Sequence, residues 1–317
     1  MDVVPERPPT VSAADERRHA AGPERLWCES IDFDFFAPDA SIAGWVRLDL
    51  YLNLGVAWYH SLVVGPGRPI VAVADCAVPL PRSSAWEIRT EGLWADHTCE
   101  TAVEHWSLAN EAFAIAVDDP AELDVADPRG ERTPLGLDLE FEADGEVRHD
   151  ATTTRYAAPC RAHGEILVGD EQIELDGWGH RHHSWGVLDR WANGWMWTAG
   201  RMDDGVRFHA LAIRTPGGAT GFGYREGGSD GYQPIGFPDP HAAVEASEDL
   251  VAHGFPRAGR VRAHAVGLDL VVAPLVLAPV FLVGPDGQQC RSLRALCRFT
   301  DGAGARGLGW TEWNQPG

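Results

Sequence analysis

Alternation with a period of two dominates this chain, and turn residues interrupt it at short intervals. From Trp45 to Leu52, Trp45, Arg47, Asp49 and Tyr51 point one way and Val46, Leu48, Leu50 and Leu52 the other, because successive side chains of a strand face opposite sides of the sheet. Similar patterns predict strands at 70–78, 85–90, 101–108, 111–117, 135–142, 164–168, 195–202, 206–214, 260–272, 276–283, 289–299 and 305–313. Turn signals separate them, among them Gly65-Pro66-Gly67, Asp118-Asp119-Pro120, Pro285-Asp286-Gly287 and Asp301-Gly302. No long stretch has a period of 3.6. Many short strands between turns predict an all-β protein built as a barrel or sandwich.

A repeat divides this pattern. Gly44-Trp45 and Gly194-Trp195 lie 150 positions apart, and at the same offset Gly55-Val56 matches Gly205-Val206, Trp58 matches Phe208, and Pro66-Gly67 matches Pro216-Gly217. Each copy reads as strand, glycine turn, strand, Pro-Gly turn. Such a period is too long for a solenoid, so two similar β units from an internal duplication are expected, joined near 151–159. The expected division is an N-terminal arm over 1–25, a first barrel over 26–155 and a second barrel over 156–317.

Composition narrows the function. A formal net charge of −21 argues against nucleic acid as a partner, since phosphates need a basic surface. All 26 basic residues are arginine. Without lysine there is no Schiff-base chemistry and no Walker A phosphate loop. The six cysteines, at 28, 76, 99, 160, 290 and 297, form no CxxC pair, which favours buried free thiols over redox or metal pairing. The first twenty residues lack an apolar signal region, and the longest apolar run, Leu268 to Val283, is broken by Pro274 and Pro279. A cytoplasmic protein with no stable membrane insertion is expected.

Chemistry-bearing residues concentrate in Gly177-Trp178-Gly179-His180-Arg181-His182-His183-Ser184-Trp185-Gly186, followed by Asp189, Trp191, Trp195, Trp197, Asp203-Asp204-Gly205 and His209. On a strand, Arg181, His183 and Trp185 share one face, and His182 and Ser184 the other. The motif GxGxRxHSWG, the Trp-rich strand after it, the DDG turn and the closing Gly307-Leu308-Gly309-Trp310-Thr311-Glu312 resemble bacterial proteins related to carotenoid 1,2-hydratases and the AttH-like lipocalin superfamily. Weaker similarity runs from Gly92-Leu93-Trp94 to Pro120. The resemblance implies tandem lipocalin-like (calycin) barrels. It further implies hydration, dehydration, isomerisation or cyclisation of an apolar, isoprenoid-type molecule, without a cofactor. Where those relatives carry Asp before the HSWG histidine, this chain carries His182.

Proton-driven alkene chemistry needs a positioned acid and a site that excludes water. His183 is the expected acid or base, with Asp189 to orient it and Arg181 to hold a polar end of the substrate. Trp185, Trp195, Trp197, His182 and His209 are the expected walls of the pocket. Aromatic faces can carry a developing cation at about 0.5–2 kcal/mol per contact. Competing structural readings exist for each residue. Tryptophans fill barrel cores, Asp203-Asp204-Gly205 makes a hairpin turn, and Arg181 can close a buried ion pair with a carboxylate such as Glu100 or Glu312. His180, His182, His183 and His209 offer imidazoles for a metal, but no carboxylate lies at a standard offset, so no metal is expected. A GxSxG elbow around Ser184 is missing, and no helix follows the glycines at 217–223, which disfavours a serine hydrolase and a dinucleotide site. The alternative to an enzyme is a lipid- or terpenoid-binding protein that uses the same aromatic walls.

Overall fold

A computed structural model describes residues 7–150, 154–187, 189–251 and 254–317. Residues 151–153, at the start of the expected joint, and the first six residues of the arm lie outside the described residues. Nineteen strands make up almost all of the secondary structure, and the described residues contain no α-helix. Among the described residues no helix is long and apolar enough to cross a membrane.

The first sheet has ten antiparallel strands in the order β4-β3-β2-β1-β10-β9-β8-β7-β6-β5. They are β1 (Cys28–Phe36), β2 (Ala43–Tyr51), β3 (Val56–Val64), β4 (Ile70–Pro79), β5 (Ile88–Thr90), β6 (Leu93–Thr101), β7 (His105–Val117), β8 (Glu131–Ala143), β9 (Arg155–Val168) and β10 (Glu171–Gly186). Pairing of β4 with β7 curls this sheet into a barrel. The second sheet runs β14-β13-β12-β11-β19-β18-β17-β16-β15. Its strands are β11 (Gly194–Met202), β12 (Arg207–Thr215), β13 (Gly218–Glu226), β14 (Tyr232–Ile235), β15 (Glu245–Leu250), β16 (Pro256–Ala263), β17 (Leu268–Val283), β18 (Gln289–Asp301) and β19 (Arg306–Pro316). The two curled sheets make the tandem lipocalin-like barrels.

Two expectations change here. The expected boundary at 155/156 cuts ahead of β9 and β10, yet both strands pair into the first sheet. The sheets therefore divide between Gly186 and Gly194, and the HSWG segment ends the first barrel instead of opening the second. The reason is topological: in each sheet the last strand returns to pair with the first, β10 with β1 and β19 with β11. That pairing also moves the register of the repeat. Gly44-Trp45 lies on β2, a second strand, whereas Gly194-Trp195 lies on β11, a first strand. The topologically equivalent segments are β1 with β11 and β10 with β19, so Gly177-Trp178-Gly179 answers to Gly307-Leu308-Gly309.

Three apolar clusters follow from the alternation. Val46, Leu48 and Leu50 of β2 join Phe33, Phe35, Leu108 and Phe141 inside the first barrel. Phe208, Leu293, Phe299 and Trp313 fill the second. A third cluster, with Trp45, Trp58, Trp195, Trp197 and Trp310, draws on both sheets and forms the junction between them. The polar face of β2 therefore does not meet solvent, and Asp49 is fully buried there.

Candidate functional site

β10 presents a different network on each face. Inward, Arg181, His183 and Trp185 meet the N-terminal arm. Arg181 Nη1 donates to Glu16 Oε2 at 3.0 Å and to Tyr156 Oη at 3.0 Å, and Trp106 Nε1 donates to the same Glu16 oxygen at 2.6 Å. The guanidinium also lies 5.3 Å from the Trp106 ring centre. Arg181 thus closes a buried ion pair, as one reading expected, but its partner is Glu16 of the arm rather than Glu100 or Glu312. His183 sits between Glu29, 3.1 Å from its Nε2, and Tyr156, 3.3 Å from its Nδ1. Burial lowers the His183 pKa, with Glu29 opposing it. His19 of the arm lies 2.8 Å from the same Glu29 oxygen and stacks on Trp185 at 3.7 Å.

Outward, His180 and His182 face the junction with the second barrel. β1 supplies Asp34 to both: its Oδ1 is 3.4 Å from His180 Nδ1, and its Oδ2 is 3.6 Å from His182 Nε2. Burial opposes the Asp34 charge, but the two histidines outweigh it and carry its pKa down to about 2. The His182 ring meets Trp197 edge-on at 4.9 Å and lies 5.6 Å from His209, which lies 5.8 Å from Tyr224. Burial holds the His182 pKa below its ordinary value and that of His209 well below.

Charges from both barrels extend this junction. Arg294 of β18 lies between the rings of Trp45 and Trp197, at 4.0 and 4.9 Å, and 3.5 Å from Glu312 of β19. Trp195 Nε1 donates to Glu312 at 2.9 Å. Arg47 donates to Asp49 at 2.8 Å and lies 4.0 Å from Asp32. A cavity of about 140 Å³ lies beside Arg47, lined by Ser30, Arg155, Ser184, Arg190 and Trp191 among others, and Asp34, His182, Trp197 and His209 do not line it. Polar atoms along the junction make no hydrogen bond within hydrogen-bonding distance although they are buried: Asp34 Oδ2, His180 Nε2, both nitrogens of His182 and His209, Trp197 Nε1, Tyr224 Oη and Arg294 Nη1. A buried polar atom left unpaired costs about 1–3 kcal/mol, a cost that a polar partner reaching these atoms would relieve. A larger cavity of about 1000 Å³ lies over β5 to β9, and none of the residues nominated from sequence line it.

The structure thus brings His182, His209, Trp195 and Trp197 together at the junction. It places Arg181, His183 and Trp185 behind them, inside the first barrel. Asp189 joins neither group: on the linker, its Oδ1 accepts from the backbone N–H groups of Trp191 and Ala192 at 3.2 and 3.1 Å. Asp203-Asp204-Gly205 is a hairpin turn between β11 and β12. Sequence reasoning missed Asp32, Asp34, Arg47, Arg294 and Glu312. A signal existed in Ile31-Asp32-Phe33-Asp34-Phe35, where two carboxylates share one face of a strand whose other face is aromatic.

Fold and junction together define a tandem lipocalin-like β-barrel protein. The chain belongs to the family described as a domain of unknown function, DUF7064, whose profile matches residues 12–317. Among solved structures, the AttH-like protein NE1406 of Nitrosomonas europaea superposes with a TM-score of 0.65 at 14% identity, covering 99% of this chain and 98% of that one. Kievitone hydratase of Nectria haematococca gives 0.59 at 12% identity over 96% and 93% of the two chains. CghA with Sch210972 gives 0.55 at 12% identity over 92% and 89%. At these identities the likeness shows the fold. No curated protein matches the sequence.

Proposed function

We propose that the chain is a hydratase-type enzyme, adding water to or removing it from a carbon–carbon double bond of an apolar small molecule at the junction between the barrels. The observation that carries this reading is the Asp34–His182 pair, buried beside Trp197 with His182 Nδ1 unpartnered. With Nε2 turned to Asp34, Nδ1 is the atom that exchanges a proton with substrate. In the hydration direction the imidazolium form of His182, its Nε2–H turned to Asp34, gives its Nδ1 proton to one alkene carbon to form a C–H bond, and the cation left on the other carbon rests against Trp197 and Trp195. Water then forms the C–O bond and returns a proton to His182 Nδ1, which restores the imidazolium. The acid–base role expected of His183 passes to His182, because His183 is held at both nitrogens inside the first barrel. A neighbour of the same fold that is a hydratase supports the class of reaction. An isoprenoid-type skeleton fits the aromatic walls.

The test incubates the full chain with kievitone and with short isoprenoid alkenes in ¹⁸O-labelled water. A product heavier by one labelled water is expected, and His182→Ala and Asp34→Asn are expected to lower kcat by about 10²–10⁴-fold with the circular dichroism spectrum unchanged. Ligands that bind without ever gaining or losing water would instead support a binding protein.

A further inference from the structure

We propose a divalent transition-metal site, independent of the junction, at His19, Glu29 and His183. Among the described residues this is the one group of histidine, cysteine and carboxylate side chains whose ligand atoms converge, with His19 Nδ1, a Glu29 oxygen and His183 Nε2 all within 4.8 Å of one another. Of the imidazoles weighed from sequence, His183 belongs to this group, whereas His180, His182 and His209 do not converge in this way. The donor set is two imidazoles and one carboxylate, which suits Zn²⁺ and leaves a fourth position for water or a small ligand.

Its surroundings fit a metal site. Tyr156 Oη lies 3.3 Å from His183 Nδ1, so when Nε2 gives up its hydrogen to bind an ion, Nδ1–H has an acceptor waiting. Such partners fix the tautomer and orientation of a ligating histidine. Trp185 stacks on His19, and Trp86 meets His183 edge-on at 5.4 Å, so both rings are held in place. Glu29 and His183 are buried while His19 is partly exposed, which leaves an approach from the arm side. Glu16 carries a buried, unpartnered oxygen and adds negative potential around His183. Zn–ligand bonds of about 2.0–2.2 Å require the Glu29 contacts of 2.8 and 3.1 Å to open by a few tenths of an ångström. The arm carries His19 and can open the 2.8 Å contact, and the 3.1 Å contact between Glu29 and His183 needs only the smaller change. A bound ion would staple the arm to β1 and β10 across the mouth of the first barrel.

The experiment titrates Zn²⁺ into the full-length, chelator-stripped protein by calorimetry, with elemental analysis for stoichiometry. One Zn²⁺ per chain is expected, with a rise in Tm as Zn²⁺ is added. Co²⁺ is expected to give the visible absorption of a tetrahedral site. His19→Ala, on the arm, is expected to weaken Zn²⁺ about 100-fold or more and abolish the rise in Tm. Tyr156→Phe is expected to weaken it about 10–100-fold. His182→Ala leaves Zn²⁺ affinity unchanged, which separates this site from the junction. Failure to bind one equivalent, or binding that survives His19→Ala in a folded protein, overturns the proposal.

Discussion

The sequence suggests Asp189 to orient His183 and Arg181 to hold a polar end of the substrate, and in the structure each makes a different set of contacts. Arg181 is an enclosed cation whose charge is met by Glu16 and whose faces lie against Trp106 and Tyr156. Removing one partner of a buried pair strands the other, at about 3–5 kcal/mol. Arg181→Ala is therefore expected to lower stability by that amount in urea denaturation. Asp189 terminates a turn by accepting two backbone N–H groups, a role worth about 1 kcal/mol by analogy with helix caps. Asp189→Ala is expected to cost no more than that. Equal losses for the two variants would contradict these placements. Residue types were legible here, but partners were not: Glu16 lies 165 positions from Arg181, and no local spacing reports a contact of that span.

Among the elements, β10 and β19 carry most of the architecture. Each is the last strand of its barrel and packs on the first, and each carries a Gly-x-Gly where the two backbones come close. A Cβ on Gly179 would lie 1.9 Å from the Asp34 carbonyl oxygen, and one on Gly177 2.3 Å from that of Phe36. Backbone cannot yield as a side chain can. Gly179→Ala is expected to destabilise by about 1–3 kcal/mol or more, read from the shift in the denaturation midpoint. An unchanged midpoint would mean that β1 and β10 do not approach as closely as described. The alternation of β10 into two faces followed from sequence alone, since the period of a strand is two. Which face met which partner did not, because β1, which carries Asp32 and Asp34, was not among the predicted strands.

Across the whole molecule, buried histidines couple stability to pH. Burial lowers the pKa of His60 and of His97 to about 4, and it also lowers those of His182, His183 and His209. A histidine with a folded pKa below its unfolded value of about 6.5 binds its proton more readily when the chain unfolds. Stability is thus full above about pH 6.5 and declines as pH falls toward 4. His60 and His97 alone account for roughly 3 kcal/mol per pH unit in that window. Asp34, depressed to about 2, adds a further loss only below about pH 4. The urea midpoint is expected to fall steeply from pH 7 to pH 5, and a flat profile would mean that these rings are hydrated.

The sequence by itself determined the all-β class, the presence of two related units, the two faces of the HSWG strand and the acidic, lysine-free chemistry. Each rests on local periodicity or on composition, which folding does not alter. The tertiary structure decided the division between the barrels, the register of the repeat and which residues meet at the junction. Strand pairing joins β10 to β1 across almost the whole first barrel, and that long-range pairing turns His182 toward Trp197 and His209 while turning His183 toward the arm.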